Sequence, residues 1–207
     1  MGLEPGGAHP AGELHLDART HVETLRALAH PLRMRLLGTL RREGPANASQ
    51  LAAALGESSG LTSYHLRQLA EHGLVVDDPE RGNGRERYWK SAHRTTHFDM
   101  NLDPALDPEG AGGEFLRSVA RTDADRLIRF ADTAESLSAE QGPEWAAAYD
   151  LSDWYLHLTL DEVVALRKSL HALVESRRRD HPTSDSRTVT VQFAILPQSR
   201  TEPQDRP

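Results

Sequence analysis

Within one short stretch, Ser58, Ser59, Ser63, Tyr64, Arg67 and Gln68 bring together small hydroxyls, a phenol, a guanidinium and a carboxamide. On a helix, Thr62, Leu66, Leu69 and Ala70 form one apolar stripe, which turns those polar residues to the other side. Such side chains match the edges that base pairs present in the major groove of duplex DNA: a guanidinium can bridge guanine, a carboxamide adenine. Arg67 and Gln68 are the candidates for these contacts, with Ser63 and Tyr64 beside them. Ser58 and Ser59 stand where a helix start leaves amides free, a place suited to a backbone phosphate. Arg81, Arg85 and Arg87 follow in a glycine-containing segment and suit phosphates or the minor groove, where charge outweighs sequence. The plainer alternative is that part of this set only solvates the surface.

The elements that must hold these residues can be followed along the chain. Val22, Leu25, Leu28 and Ala29 recur at helical spacing. Pro31 then permits a fresh helix start, with Leu32, Leu36, Leu37 and Leu40 turned inward before Gly44-Pro45. Asn47 with Gln50 forms a capping box for a further helix carrying Leu51, Ala54 and Leu55 on its core side, and Gly56 closes it. Ser58 caps the helix bearing the polar face, and Gly73 ends it. Residues 74–76 and 86–90 have strand composition, and the polar segment between them is a hairpin tip. In the second strand, one of Tyr88 and Trp89 is expected to face out and the other into the core. Helix, turn, helix and arginine-rich hairpin together make a winged helix-turn-helix.

The chain has 207 residues, 38% of them hydrophobic, enough for one ordinary domain and a smaller unit. A net charge of −7 is unexpected for a nucleic-acid binder until it is divided. Residues 18–98 hold twelve basic and eight acidic side chains, a net +4, which leaves −11 for the remainder. A basic reading unit joined to an acidic partner region fits this asymmetry. No apolar run reaches the ~18 residues of a membrane span and no signal-peptide core is present, so a cytoplasmic protein is expected. With no cysteine, neither a disulfide framework nor a thiolate metal site can form.

The chemistry of catalysis is not in evidence. There is no phosphate-cradling glycine loop, no His-Glu-x-x-His pair and no nucleophile elbow, so no enzyme and no cofactor are expected. Among eleven histidines, His93 and His97 lie four apart with Asp99 beyond, while His9, His15 and His21 are spread along the N-terminal region. His93, His97 and Asp99 are weak metal candidates, since lone histidines are commonly surface residues, and no metal site is expected. His65 falls inside the helix-turn-helix pattern and is expected to pack and hydrogen-bond. Trp145, Tyr149 and Trp154 could line a pocket for a small-molecule effector, against the simpler reading that they anchor a small core.

The runs Ala27-Leu28-Ala29-His30-Pro31-Leu32-Arg33-Met34-Arg35-Leu36-Leu37, Ser63-Tyr64-His65-Leu66-Arg67-Gln68-Leu69 and Gly73-Leu74-Val75 resemble the ArsR-type winged-helix repressors. More narrowly, they are similar to actinobacterial members with an additional C-terminal half. The resemblance covers residues 18–92 and implies a homodimeric regulator whose second motif helix enters the major groove. The familiar family member senses metal through a cysteine-containing motif on the preceding helix; here that stretch is Ala48-Ser49-Gln50-Leu51-Ala52-Ala53-Ala54, which has no ligand.

The expected architecture is therefore α+β and mostly α. It has a mobile arm (1–17), the winged helix-turn-helix (18–98), a linker (99–113), a C-terminal region for dimerisation and possible effector binding (114–197), and a disordered tail (198–207). In the C-terminal region a long helix over residues 114–137 carries Leu116, Ala120, Ala124, Leu127, Ala131 and Ala134 on one stripe. A small strand-helix-strand unit follows, with strands at residues 154–158 and 188–196 around a helix capped by Thr159 and Glu162. The expected function is sequence-specific binding of double-stranded DNA by a homodimer, controlling transcription, most simply as a repressor at a pseudo-palindromic operator. The alternative is a protein-interaction module whose winged helix no longer binds DNA.

Overall fold

The structure, a computed structural model, describes residues 12–17, 20–81, 86–99, 105, 107–179 and 183–198. It divides into two compact units, Met1–Ala147 and Ala148–Pro207.

In the first unit, β1 (Glu13–Asp17) leads into α1 (Val22–Leu28) and α2 (Pro31–Glu43). Pro31 sits at the start of α2, where its missing N–H would have had no helical partner. His30 caps that helix, its Nδ1 accepting from the Leu32 N–H at 3.2 Å. After β2 (Ala46–Asn47), α3 (Ala48–Leu55) is held by the expected box: Asn47 accepts from the Gln50 N–H at 2.8 Å, and Gln50 from the Asn47 N–H at 2.9 Å. Gly56, at φ 70, closes α3, and Ser58 caps α4 (Ser59–Glu71), its hydroxyl accepting from the Leu61 N–H at 3.3 Å. The left-handed turn at Gly56 would strain any residue with a Cβ, and it re-aims the chain between the two motif helices.

The wing is built from β3 (Val75–Asp77) and β4 (Tyr88–Ser91), with β2 on the other side of β4, all antiparallel. Trp89 is buried and Tyr88 half-buried, as the alternation requires. Leu25, Leu28, Leu36, Leu51, Leu66, Leu69, Leu74, Val75 and Trp89 form one core. Each fully buried leucine contributes about 1.5–3 kcal/mol.

Several expectations change. Glu13–Asp17 is a strand, not part of a mobile arm; it pairs in parallel with β5 (Thr95–Asp99). Leu16 and Phe98 join the core from this two-stranded sheet. The partner strand lies far along the chain, so no local pattern announces the pairing. Residues 1–11 of the arm lie outside the described residues, as does all but residue 198 of the tail.

The long helix, α5 (Ala111–Gln141), starts inside the supposed linker. Gly112-Gly113 disfavours a helix, yet the buried Asp107 accepts from the N–H groups of Ala111 and Gly112 at 2.9 and 3.0 Å. Its inward face is Ala111, Phe115 and Ser118, with Phe115 edge-on to Phe98 at 5.1 Å. The stripe expected to pack is mostly exposed: Ala120, Ala124, Leu127 and Ala131 all face solvent in the single chain. Ala54 of α3 is likewise exposed, and Ala52 takes the buried place. A short helix, α6 (Pro143–Ala146), follows Gly142.

In the second unit, α7 (Leu160–Ser176) has the expected Thr159–Glu162 capping box. Residues 151–159 and 186–198 form no strands, which corrects the strand-helix-strand expectation. No ladder forms for them among the described residues, and residues 151–159 are exposed throughout. Trp154 is 74% exposed and so does not anchor a core; Trp145 of the first unit and Tyr149 of the second are each half-buried.

Candidate nucleic-acid interface

α4 buries Thr62, His65, Leu66 and Leu69 and turns Ser59, Tyr64 and Arg67 to solvent, with Ser63 and Gln68 half-exposed. Leu66 and Leu69 are fully enclosed, so the helix cannot rotate to show another face without emptying the core. Arg67 has no hydrogen-bonding or ion-pairing partner among the described residues, whereas Gln68 donates to Glu71 at 2.8 Å. Tyr64 is half exposed and meets the His65 ring edge-on at 5.1 Å. The Ser58 hydroxyl is used as the helix cap, which leaves the neighbouring backbone rather than that side chain for an anion.

Beside α4 the chain forms an open cleft of about 290 Å³, lined by Asn47, Ala48 and Ser49 at the start of α3, Ser63 and Arg67 of α4, and Glu86, Arg87 and Trp89 of the wing. Two of the helix candidates and one wing arginine thus share a single concavity. Arg87 is held there from two sides: its Nε donates to Asp77 at 3.1 Å, and its guanidinium lies 4.2 Å above the Trp89 ring. Arg81 is exposed at the wing turn; Arg85 lies outside the described residues.

Much of the basic charge counted in the sequence is committed inside the fold. Arg41 donates to the His93 carbonyl at 2.9 Å and the Thr96 hydroxyl at 2.8 Å, and its burial lowers its pKa to about 10. Arg35 bonds the Leu55 carbonyl at the end of α3 and Glu57, and Arg33 the Arg26 carbonyl. These three arginines position the motif helices and the segment after the wing. The sequence counted them as charge; their structural use depends on carbonyls brought near only by folding.

His65 is buried, as expected, but its Nδ1 finds none of the hydrogen bonds expected of it among the described residues; its ring lies tilted against His30 with centroids 4.3 Å apart. Burial, then the nearby charge of Arg33, lowers the pKa of His30; burial, His30 and Arg33 lower that of His65. Both rings are therefore held neutral between α2 and α4.

The weak metal candidates are not brought together. His93 is partly buried behind Arg41, its pKa lowered first by desolvation and then by that charge. His97 instead faces Glu13 and His15 of β1, on the strand paired with its own. The Asp99 backbone pairs with Asp17, and its side chain lies outside the described set. No helix among the described residues is long and apolar enough to cross a membrane.

Residues 28–77 match a helix-turn-helix domain family. Over 74 residues the chain is 40% identical to the HTH-type transcriptional regulator NmtR of Mycobacterium tuberculosis, a match that covers 35% of this chain and 61% of that protein. Two solved structures are similar at a TM-score of 0.29 each. Transcriptional regulator Tm0710 from Thermotoga maritima is 13% identical, covering 79% of this chain and 87% of that one. Lactococcus lactis ZitR, a mutant in apo form, is 17% identical, covering 77% and 90%.

Proposed function

We propose that the N-terminal part of this chain, which is similar to a helix-turn-helix transcriptional regulator, is a winged helix-turn-helix domain of the ArsR type, and that the protein binds duplex DNA as a homodimer and controls transcription, most simply by repression. The observation that carries the reading is the fixed outward face of α4, with Ser63 and Arg67 opening into the same cleft as Arg87 of the wing. In this reading α4 enters the major groove, Arg67 and Gln68 read bases with Ser63 and Tyr64 beside them, and the backbone at Ser58 and Ser59 meets a phosphate. Gln68 must exchange Glu71 for a base edge to do so. Arg81, Arg85 and Arg87 supply backbone or minor-groove contacts.

A homodimer is supported by the apolar residues that α5 leaves exposed, Leu127 at 44% and Ile128 at 58%. An apolar helical stripe of this kind is ordinarily covered by another surface. Two-fold symmetry then places two copies of α4 on half-sites about one helical turn apart.

The test is selection from a random duplex library at near-physiological salt. Enrichment of an inverted repeat is the expected result. Salt-sensitive binding without enrichment would remove base reading, and no binding would favour a winged helix that docks a protein. That second reading has a specific observation in its favour: Glu71, Asp77 and Glu86 lie at the same surface and are paired with Gln68, Arg87 and Asn47, which dilutes the positive field.

A further inference from the structure

The geometry points to a binding site for a divalent first-row metal cation at the junction of β1 and β5, formed by Glu13, His15 and His97. The strand period sets it up: Glu13 and His15 are two apart on β1 and share a face. The parallel register sets His97 of β5 opposite His15, on the same side of the sheet. Leu14 and Leu16, on the alternate positions, pack toward the core with Phe98, so the face carrying the three ligands cannot flip inward.

The three side chains converge on one point. Nε2 of His15 lies 3.2 Å and Nε2 of His97 3.4 Å from the same oxygen, Oε2 of Glu13. One ligand atom from each residue lies within 4.8 Å of the others, and the two imidazoles stack with centroids 4.7 Å apart. Donors held about 2.0–2.2 Å from a tetrahedral ion are separated by roughly 3.4 Å, so small ring movements suffice to seat an ion among them. The Glu13 side chain is 14% exposed and that of His97 22%, which largely shields the carboxylate from bulk water. Two neutral imidazoles and one carboxylate are a borderline donor set: they favour zinc, nickel, cobalt or copper over magnesium or calcium, whose preference is for oxygen.

A bound ion would join β1 to the strand that directly follows the wing. Arg41 of α2 already grips that connection through the His93 carbonyl and the Thr96 hydroxyl. Metal would thus fasten the N-terminal strand to a segment the helix-turn-helix already holds.

The probe is Zn2+ or Co2+ alone, added to the full chain after chelator treatment. We expect one equivalent per chain, visible cobalt ligand-field bands, metal-dependent shifts of the His15 and His97 ring signals in the wild-type NMR spectrum, and slower amide exchange across Leu14 and Leu16. His15→Gln, His97→Gln and Glu13→Gln should each weaken affinity by at least the roughly 10–100-fold that loss of an outer-shell partner costs, while His157→Gln, at an exposed position of the second unit, leaves it unchanged. No stoichiometric binding overturns the site, as does binding that survives all three substitutions. The wild-type ring shifts decide the matter if a variant fails to fold: a metal that leaves both rings unmoved refutes it.

Discussion

At the scale of single residues, exposure separates base readers from charge suppliers. Arg67 is exposed on the rigid face of α4, so Arg67→Ala should relax selectivity at one base position by about 1–3 kcal/mol. Arg81 sits at the wing turn, and Arg81→Ala should weaken all duplexes alike and reduce the salt slope by about 1. Competition binding across single-base variants and a salt titration distinguish the two; equal loss on every duplex for Arg67→Ala would remove it from base reading. The neutral pair His30 and His65 predicts a pH dependence of stability. Both bind protons less readily folded than unfolded, where the value is 6.5. Their contribution is therefore complete above pH 6.5 and is lost as pH falls below it, toward the lowered folded-state values. His30→Asn keeps an acceptor for the Leu32 N–H and removes one titrating ring, so denaturant midpoints measured between neutral and acidic pH should fall less steeply than in the wild type.

At the scale of elements, helix ends and helix faces decide the architecture. Asp107 satisfies two N–H groups at the start of α5 while itself buried. Asp107→Ala should destabilise the protein by about 1–3 kcal/mol by leaving buried donors unpaired, read as a lowered urea midpoint. In α4, the Thr62 hydroxyl is buried without a hydrogen-bond partner. Thr62→Val should hold or raise thermal stability, since a methyl group fills the same space without a hydroxyl to desolvate. The two motif helices were legible because their caps, Asn47 with Gln50 and Ser58, are local. The start of α5 was not, because its cap is donated from within a segment that looks like linker. Its packed face was misjudged for a related reason: two apolar stripes exist on that helix, and periodicity does not say which meets Phe98.

At the scale of the whole molecule, charge and apolar surface describe a chain that does not cover itself. The exposed side of α5 bears Leu127 and Ile128, and the second unit exposes Leu151, Trp154, Tyr155 and Leu160, with no residue of α7 buried. Ile128→Asp should shift the protein from dimer to monomer in analytical ultracentrifugation with the helical signal retained, because it alters an exposed position of one chain and a covered position in the proposed pair. A dimer unchanged by it would place the interface elsewhere. Ala111 and Phe115 belong to the core of the first unit, so a truncation before α5 would expose that core rather than test the pair.

The sequence by itself determined the motif helices, the wing strands and the outward set Ser59, Tyr64 and Arg67, because each depends on contacts a few residues apart: periodic burial, caps and a left-handed glycine. Tertiary structure alone decided the pairing of β1 with β5, the docking of Phe115, the internal use of Arg33, Arg35 and Arg41, and the meeting of Glu13, His15 and His97. Those contacts join residues tens of positions apart, and which of many compatible partners meets which is settled only when the core closes and each buried polar group must find its mate.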